Sequence, residues 1–184
     1  MSETTTTIWI KGMVCPRCIR VVKEDLENAA YSIKHIELGK VIIEGKPNYP
    51  EINRLLTNAG FSIVEDEEER LVEHAKLLII ELIESNYFES NFKTNSHVLE
   101  EKLKISYSKL SRIFSSVTGT TLERFIIDQK INKVKELLKY TSQTIEDVAY
   151  KLGYSSSAHL SRQFKSITGF TPTVFRKQYS NPQK

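Results

Sequence analysis

Cysteine is almost missing from this chain: two residues in 184, too few for a disulfide framework and enough for one paired thiol site. Glycine is scarce at seven residues, and no stretch reads as a glycine-rich phosphate loop. Paired carboxylates placed for acid–base work and nucleophile motifs are absent as well, so an enzyme is not expected. No apolar run approaches the about 18 residues that read as a membrane-spanning helix, and there is no signal-peptide pattern. A soluble, cytoplasmic protein with no membrane partner is the expectation.

What is present is divided. Residues 71–184 hold 17 Lys and Arg against 11 Asp and Glu, a net +6, whereas residues 1–70 hold 9 against 12, a net −3. The overall +3 conceals a basic half that suits nucleic acid and an acidic half that does not. The acidic run Glu65 to Glu69 marks the junction, as a linker or as the charged first turn of a helix over about Arg70 to Glu84, where carboxylates suit the positive helix end.

The string Leu-Ser-Arg-x-Phe-x-Ser-x-Thr-Gly occurs at Leu110 to Gly119 and again at Leu160 to Gly169, which marks a duplicated unit. Its apolar positions, Leu110, Ile113, Phe114 and Val117, then Leu160, Phe164 and Ile167, fall at helical spacing. Each helix ends on a glycine able to take the left-handed conformation. A shorter helical pattern precedes each copy, His97 to Ile105 and Ile145 to Leu152. The second opens on Thr144 with Asp147 three residues on, close to a capping box. Two helices and a tight turn, the later helix with a basic exposed face, are the helix-turn-helix pattern. A plain helical repeat with solvated arginines is the competing interpretation. It does not require the same Ser-Arg pair at one register in both copies, and reading two stretches of one duplex does.

Thr121 to Tyr140 reads as one helix of about 30 Å joining the copies. B-form DNA turns once in roughly 34 Å, so such a rod can present two recognition helices to successive major grooves of one face. A monomer would then read two sites.

From Leu71 to Tyr179 the chain closely resembles the DNA-binding domain of the AraC family of bacterial transcription regulators, in which seven helices hold two helix-turn-helix units. The most specific stretches are Ile145 to Tyr154, Leu160 to Lys165, Gly169 to Pro172 and Phe175-Arg176. The resemblance implies that Tyr107, Ser108, Ser111 and Arg112 of the first unit, and Ser157, Ala158, His159, Ser161 and Arg162 of the second, face DNA. Lys109 and Lys165 look like phosphate partners. Ser108, Ser157 and Ala158 are too small for bidentate base contacts, worth about 1–3 kcal/mol each, so Arg112 and Arg162 should carry a disproportionate share, with DNA shape contributing the rest.

The N-terminal third differs. Strand (Thr6 to Lys11), helix (Pro16 to Asn28), strands (Ile33 to Leu38, Val41 to Glu44), helix (Tyr49 to Asn58) and strand (Ser62 to Glu65) form a βαββαβ order, the ferredoxin-like arrangement. Both cysteines stand at its first strand–helix junction, in Met13-Val14-Cys15-Pro16-Arg17-Cys18. A helix N-terminus and nearby Arg17 and Arg20 favour thiolates, which select soft ions such as Cu(I). With no His or Asp in the loop, Zn(II) lacks its usual four ligands. A thiol redox switch has the same signature, and a domain that only packs or dimerises is a third possibility. His35, His74 and His97 are read as ordinary strand, helix and cap-neighbour residues rather than ligands.

This third resembles the heavy-metal-associated domain of copper chaperones and metal-pumping ATPases, through Gly12-Met13-x-Cys15-x-x-Cys18, the Val21, Val22 and Leu26 face, and Ala59-Gly60-Phe61. The resemblance implies Cys15 and Cys18 as metal ligands and Met13 as buried support. Phe61 stands where copper chaperones have Tyr or Lys.

The expected fold class is α+β: a ferredoxin-like βαββαβ domain over 1–65 followed by an all-α domain over 66–184, with helix-turn-helix units at about 95–119 and 144–169. The expected function is a sequence-specific transcription regulator answering to a thiophilic ion, Cu(I) favoured. A thiol-redox regulator and a metal chaperone with a helical interaction module are the alternatives. Double-stranded DNA, RNA polymerase and a second copy of the chain are the expected partners.

Overall fold

The structure, a computed structural model, describes residues 4–85 and 94–179. The chain forms two compact units, Met1–Leu77 and Leu78–Lys184. Residues 86–93, inside the expected DNA-binding segment, lie outside the described residues.

The first unit runs β1 (Thr5–Lys11), α1 (Pro16–Asn28), β2 (Ile33–Glu37), β3 (Lys40–Glu44), α2 (Tyr49–Asn58) and β4 (Ser62–Val64). The strands form one antiparallel sheet in the order β2-β3-β1-β4. Alternation in β1 and β3 sends Ile8, Ile10, Val41 and Ile43 to one face, where they meet Val22 and Leu26 of α1 and Ile52 and Leu56 of α2 in a single core. Trp9 points the other way, with its ring centroid 5.9 Å from that of His74 and Lys40 Nζ 5.5 Å from it.

Helix α3 (Glu67–Glu84) starts three residues earlier than the periodicity indicated. Its start is set by Asp66, whose Oδ1 accepts the Glu69 N–H at 2.9 Å, so Glu67, Glu68 and Glu69 form the first turn. The compact unit Met1–Leu77 thus takes in the first part of α3. Trp9 meets His74, and Leu77 approaches Gly39 so closely that a Cβ there would lie 2.5 Å from its Cδ1.

The second unit holds α4 (Thr94–Leu103), α5 (Tyr107–Thr118), α6 (Leu122–Tyr140), α7 (Ile145–Lys151), α8 (Ser157–Thr168) and α9 (Pro172–Tyr179). Helix α4 stops at Leu103 rather than Ile105 because Lys104 takes a left-handed φ of 55°. Gly153 does the same after α7 with φ 68°.

The duplication extends past the ten-residue string. Thr118 and Thr168 donate to the carbonyls of Phe114 and Phe164, Gly119 and Gly169 close α5 and α8 at φ 70° and 80°, and Thr121 and Thr171 then cap α6 and α9. Phe114 packs on Phe125 and Phe164 on Phe175, each with centroids 5.4 Å apart. Most of the repeated letters thus specify a buried stripe and a helix stop, a structural reason for the repetition.

Candidate nucleic-acid interface

Each recognition helix is held by its partner, α5 against α4 and α8 against α7, and by the helix that follows, α6 or α9. Leu110, Ile113 and Phe114 in α5, and Leu160 and Phe164 in α8, are buried, which leaves the opposite face of each helix outward.

On that face Arg112 and Arg162 are both exposed at the shared register. Among the described residues neither guanidinium has a hydrogen-bond or ion-pair partner. The repeat therefore contains one position in each copy that folding does not use. The neighbouring lysines are exposed too, but at different registers: Lys109 lies three residues before its arginine and Lys165 three after. Ser108 and Ala158 are exposed, and Ser111, Ser157 and Ser161 are half-buried.

Two expected contact residues are already engaged. Tyr107 donates its hydroxyl to Glu123 Oε1 at 2.9 Å and its N–H to Glu100 Oε1 at 2.6 Å. Burial and the Glu123 carboxylate push its phenol above the usual range. His159 Nδ1 lies 3.1 Å from Ser155 Oγ, and its ring stands edge-on to Tyr154 at 5.4 Å. These two sit at the starts of α5 and α8, where they brace the turns.

Lys130 was not legible as a site residue. It is 3% exposed, on the apolar side of α6 with Ile126, Ile131 and Val134, and its Nζ lies 5.5 Å from the Tyr154 ring centroid. Loss of water lowers its pKa to about 8. The sequence did hold a signal: Lys130 falls four residues after Ile126 and four before Val134, on the helical stripe.

In the first unit Cys15 is the N-cap of α1, ahead of Pro16, and its Sγ lies 3.3 Å from that of Cys18. The hydrogen bond from Cys18 holds the Cys15 thiol below its ordinary value, with backbone N–H groups and Arg17 adding to it. Met13 lies in the core at 1% exposure, and Phe61 stands beside Gly12. Among the described residues no group of three or more His, Cys, Asp or Glu side chains is placed to hold a metal ion. No described helix is long and apolar enough to cross a membrane.

Residues 99–178 match the family model for a helix-turn-helix domain. That match lies wholly within the C-terminal unit. Over 77 residues, 42% of this chain, it is 36% identical to the uncharacterized HTH-type transcriptional regulator YfiF of Bacillus subtilis (strain 168). Over 100 residues, 54% of the chain, it is 29% identical to the Msm operon regulatory protein of Streptococcus mutans serotype c. The chain spans 24% and 35% of those relatives' lengths. Among solved structures, the C-terminal domain of AraT, a response regulator from Geobacillus stearothermophilus, aligns with a TM-score of 0.53 at 23% identity, covering 61% of this chain and 88% of that one. The DNA-binding domain of AdpA, solved with a target DNA, aligns at 0.50 and 22%, covering 65% and 100%. At those identities the likeness is one of fold.

Proposed function

We propose that this chain is a sequence-specific DNA-binding transcription regulator in which α5 and α8 enter successive major grooves of one duplex. The observation that carries it is Arg112 and Arg162, exposed at one register of two helices in an AraC-type domain and unused by the fold. Double-stranded DNA is the partner this supports, and a regulator of this kind works with RNA polymerase. Selection from random duplexes identifies the operator. Arg112→Ala and Arg162→Ala should then each weaken binding by about 1–3 kcal/mol and relax specificity at different half-sites, while Lys109→Ala and Lys165→Ala lower the salt slope. Unchanged affinity of both arginine variants across a salt series sinks this assignment.

The signal belongs to the first unit. Its βαββαβ order with strand sequence β2-β3-β1-β4 supports reading it as a ferredoxin-like domain of the heavy-metal-associated kind. Two sulfurs 3.3 Å apart can both reach one ion at about 2.3 Å each. The donor set fits a low-coordinate thiophilic ion, Cu(I) before Zn(II), or one completed by a second protomer. Gel shifts with apo, Cu(I)-loaded and Zn(II)-loaded protein, beside Cys15→Ser/Cys18→Ser, test this. Metal-dependent DNA affinity or oligomeric state, lost in the double variant, is the expected result; identical behaviour in every state eliminates it. The close sulfurs and the lowered Cys15 thiol also favour a second possibility, a thiol–disulfide switch. It is distinguished by a response to oxidant in the presence of a chelator.

A further inference from the structure

We propose that Lys104, in the turn between α4 and α5, holds a backbone phosphate of the duplex, and that the first helix-turn-helix motif keeps a strained turn for the sake of that contact. The inference rests on the DNA-binding reading above and adds a residue that the sequence did not single out.

Lys104 follows Leu103 at the end of α4 as Gly153 follows Leu152 at the end of α7, and both take the left-handed conformation, at φ 55° and 68°. Glycine adopts it freely. A side chain there crowds its own backbone, so lysine at this point costs stability that glycine does not. Among the described residues Lys104 is the only non-glycine of the second unit with a positive φ. The duplication supplies its own control: one copy makes the helix stop without strain and the other with it.

The fold makes no use of this lysine's charge. The side chain is exposed, and among the described residues its ammonium has no ion-pair or hydrogen-bond partner. Nor does the negative end of α4 depend on it, since Lys102 already stands in the last turn. An unused cation at a strained position is the pattern of a ligand contact rather than of packing. In a helix-turn-helix the first helix crosses the DNA backbone and the second enters the major groove, so the turn joining them meets phosphate rather than base edges. Lysine suits that place, because its ammonium meets a phosphate as a mobile point charge. Gly153 offers the second motif no such charge, and the two half-sites should therefore differ in salt dependence.

The test uses the full chain and the duplex selected from random sequence, with binding followed through a salt series and thermal unfolding measured alongside. Lys104→Gly should raise the thermal midpoint by about 2–4 °C. The same variant should bind DNA about five- to tenfold more weakly at about 0.1 M salt, its salt slope reduced by about one phosphate. Lys104→Gln, which keeps the strain and loses the charge, should show that loss of slope at an unchanged midpoint, while Lys104→Arg should keep affinity, slope and midpoint. A residue with a merely structural role does not move stability and affinity in opposite directions. Native affinity and slope in Lys104→Gly overturn the proposal, as does a lowered midpoint in that variant or a loss in Lys104→Arg equal to that in Lys104→Gln. Weakened binding by Arg112→Ala and Arg162→Ala beside an unaffected Lys104→Gly removes this contact alone; no loss in any of the three removes the DNA-binding reading with it.

Discussion

The two helix-turn-helix motifs share a skeleton and differ in how each recognition helix is started. In the second, Ser156 is the N-cap of α8 and its Oγ accepts the His159 N–H at 3.1 Å. Its partner α7 carries a full capping box between Thr144 and Asp147. In the first, the side chain of Ser106 makes no cap bond, and Glu100 of α4 reaches across the turn to the Tyr107 N–H instead. The turns differ in length as well: three residues separate α4 from α5 and five separate α7 from α8. One motif is braced locally and the other through its partner helix. What the two preserve in common is the core stripe, the glycine stop and the outward arginine, so duplication has kept the fold and the exposed cation while the approach to each helix diverged.

If the skeletons are equivalent, their cores should respond alike. Phe114 and Phe164 are both fully buried and packed on a following aromatic ring. Truncating either to Ala should cost about 3–5 kcal/mol, read as matched falls in thermal midpoint and denaturant midpoint. A large inequality would show that one motif supports the other rather than repeating it.

The next largest effect breaks the symmetry, since Lys130 has no counterpart in the short α9. Burial holds its ammonium at about 8 in the folded chain, against 10.5 when unfolded. Below about pH 8 both states are protonated and the burial cost is fully present. As pH rises from about 8 toward 10.5 the unfolded chain binds the extra proton, so stability rises. The span of that gain is about 3 kcal/mol. Among the described residues, Glu123, His159, Tyr107 and Tyr154 line the same cleft as Lys130, and the two phenols, raised by burial, act in the opposite direction only above pH 10, their ordinary value. Melting followed from about pH 7 to 9.5 should show the gain in the native chain and not in Lys130→Met, which should be the more stable protein at the lower end.

How much was legible follows the same division between local and distant partners. Strand alternation at Ile8 and Ile10, the Thr144–Asp147 cap and the glycines after α5 and α8 are decided within a few residues, and the periodicity finds them. The extension of the first unit to Leu77 depends on Trp9 and Gly39, far upstream, and no window of sequence holds both. The engagement of His159 and Tyr107 also escaped, because a polar residue at the start of a recognition helix reads as a contact whether or not a neighbour occupies it. Lys130 shows the limit of residue type as a guide: its spacing placed it on the buried stripe, and its charge argued for the surface.

At the interface the comparison sharpens into a difference between lysines. Arg112 and Arg162 share a register, so each alanine variant should lose a similar affinity, about 1–3 kcal/mol. Lys109 precedes its arginine and Lys165 follows, so in the proposed docking they should reach phosphates on different sides of the two base sets. Ethylation interference on Lys109→Ala and Lys165→Ala should remove protections displaced in opposite directions relative to the two arginine footprints. Displacement in the same direction would mean that the helices dock at different tilts.

The smallest effect tests the caps themselves. Ser156→Ala removes an N-cap acceptor and should cost about 1 kcal/mol, whereas Ser106→Ala removes none and should stay within about 0.5 kcal/mol of the native chain. The converse holds for Glu100→Ala, which strips the first recognition helix of the acceptor for its opening N–H group. Because the same carboxylate ties α4 to α5, that loss should also loosen the first turn, read as faster amide exchange at Tyr107 and Ser108 with α8 unaffected. If Ser106→Ala proved as costly as Ser156→Ala, the two helices would be started in the same way, and the difference between the motifs would reduce to the length of their turns.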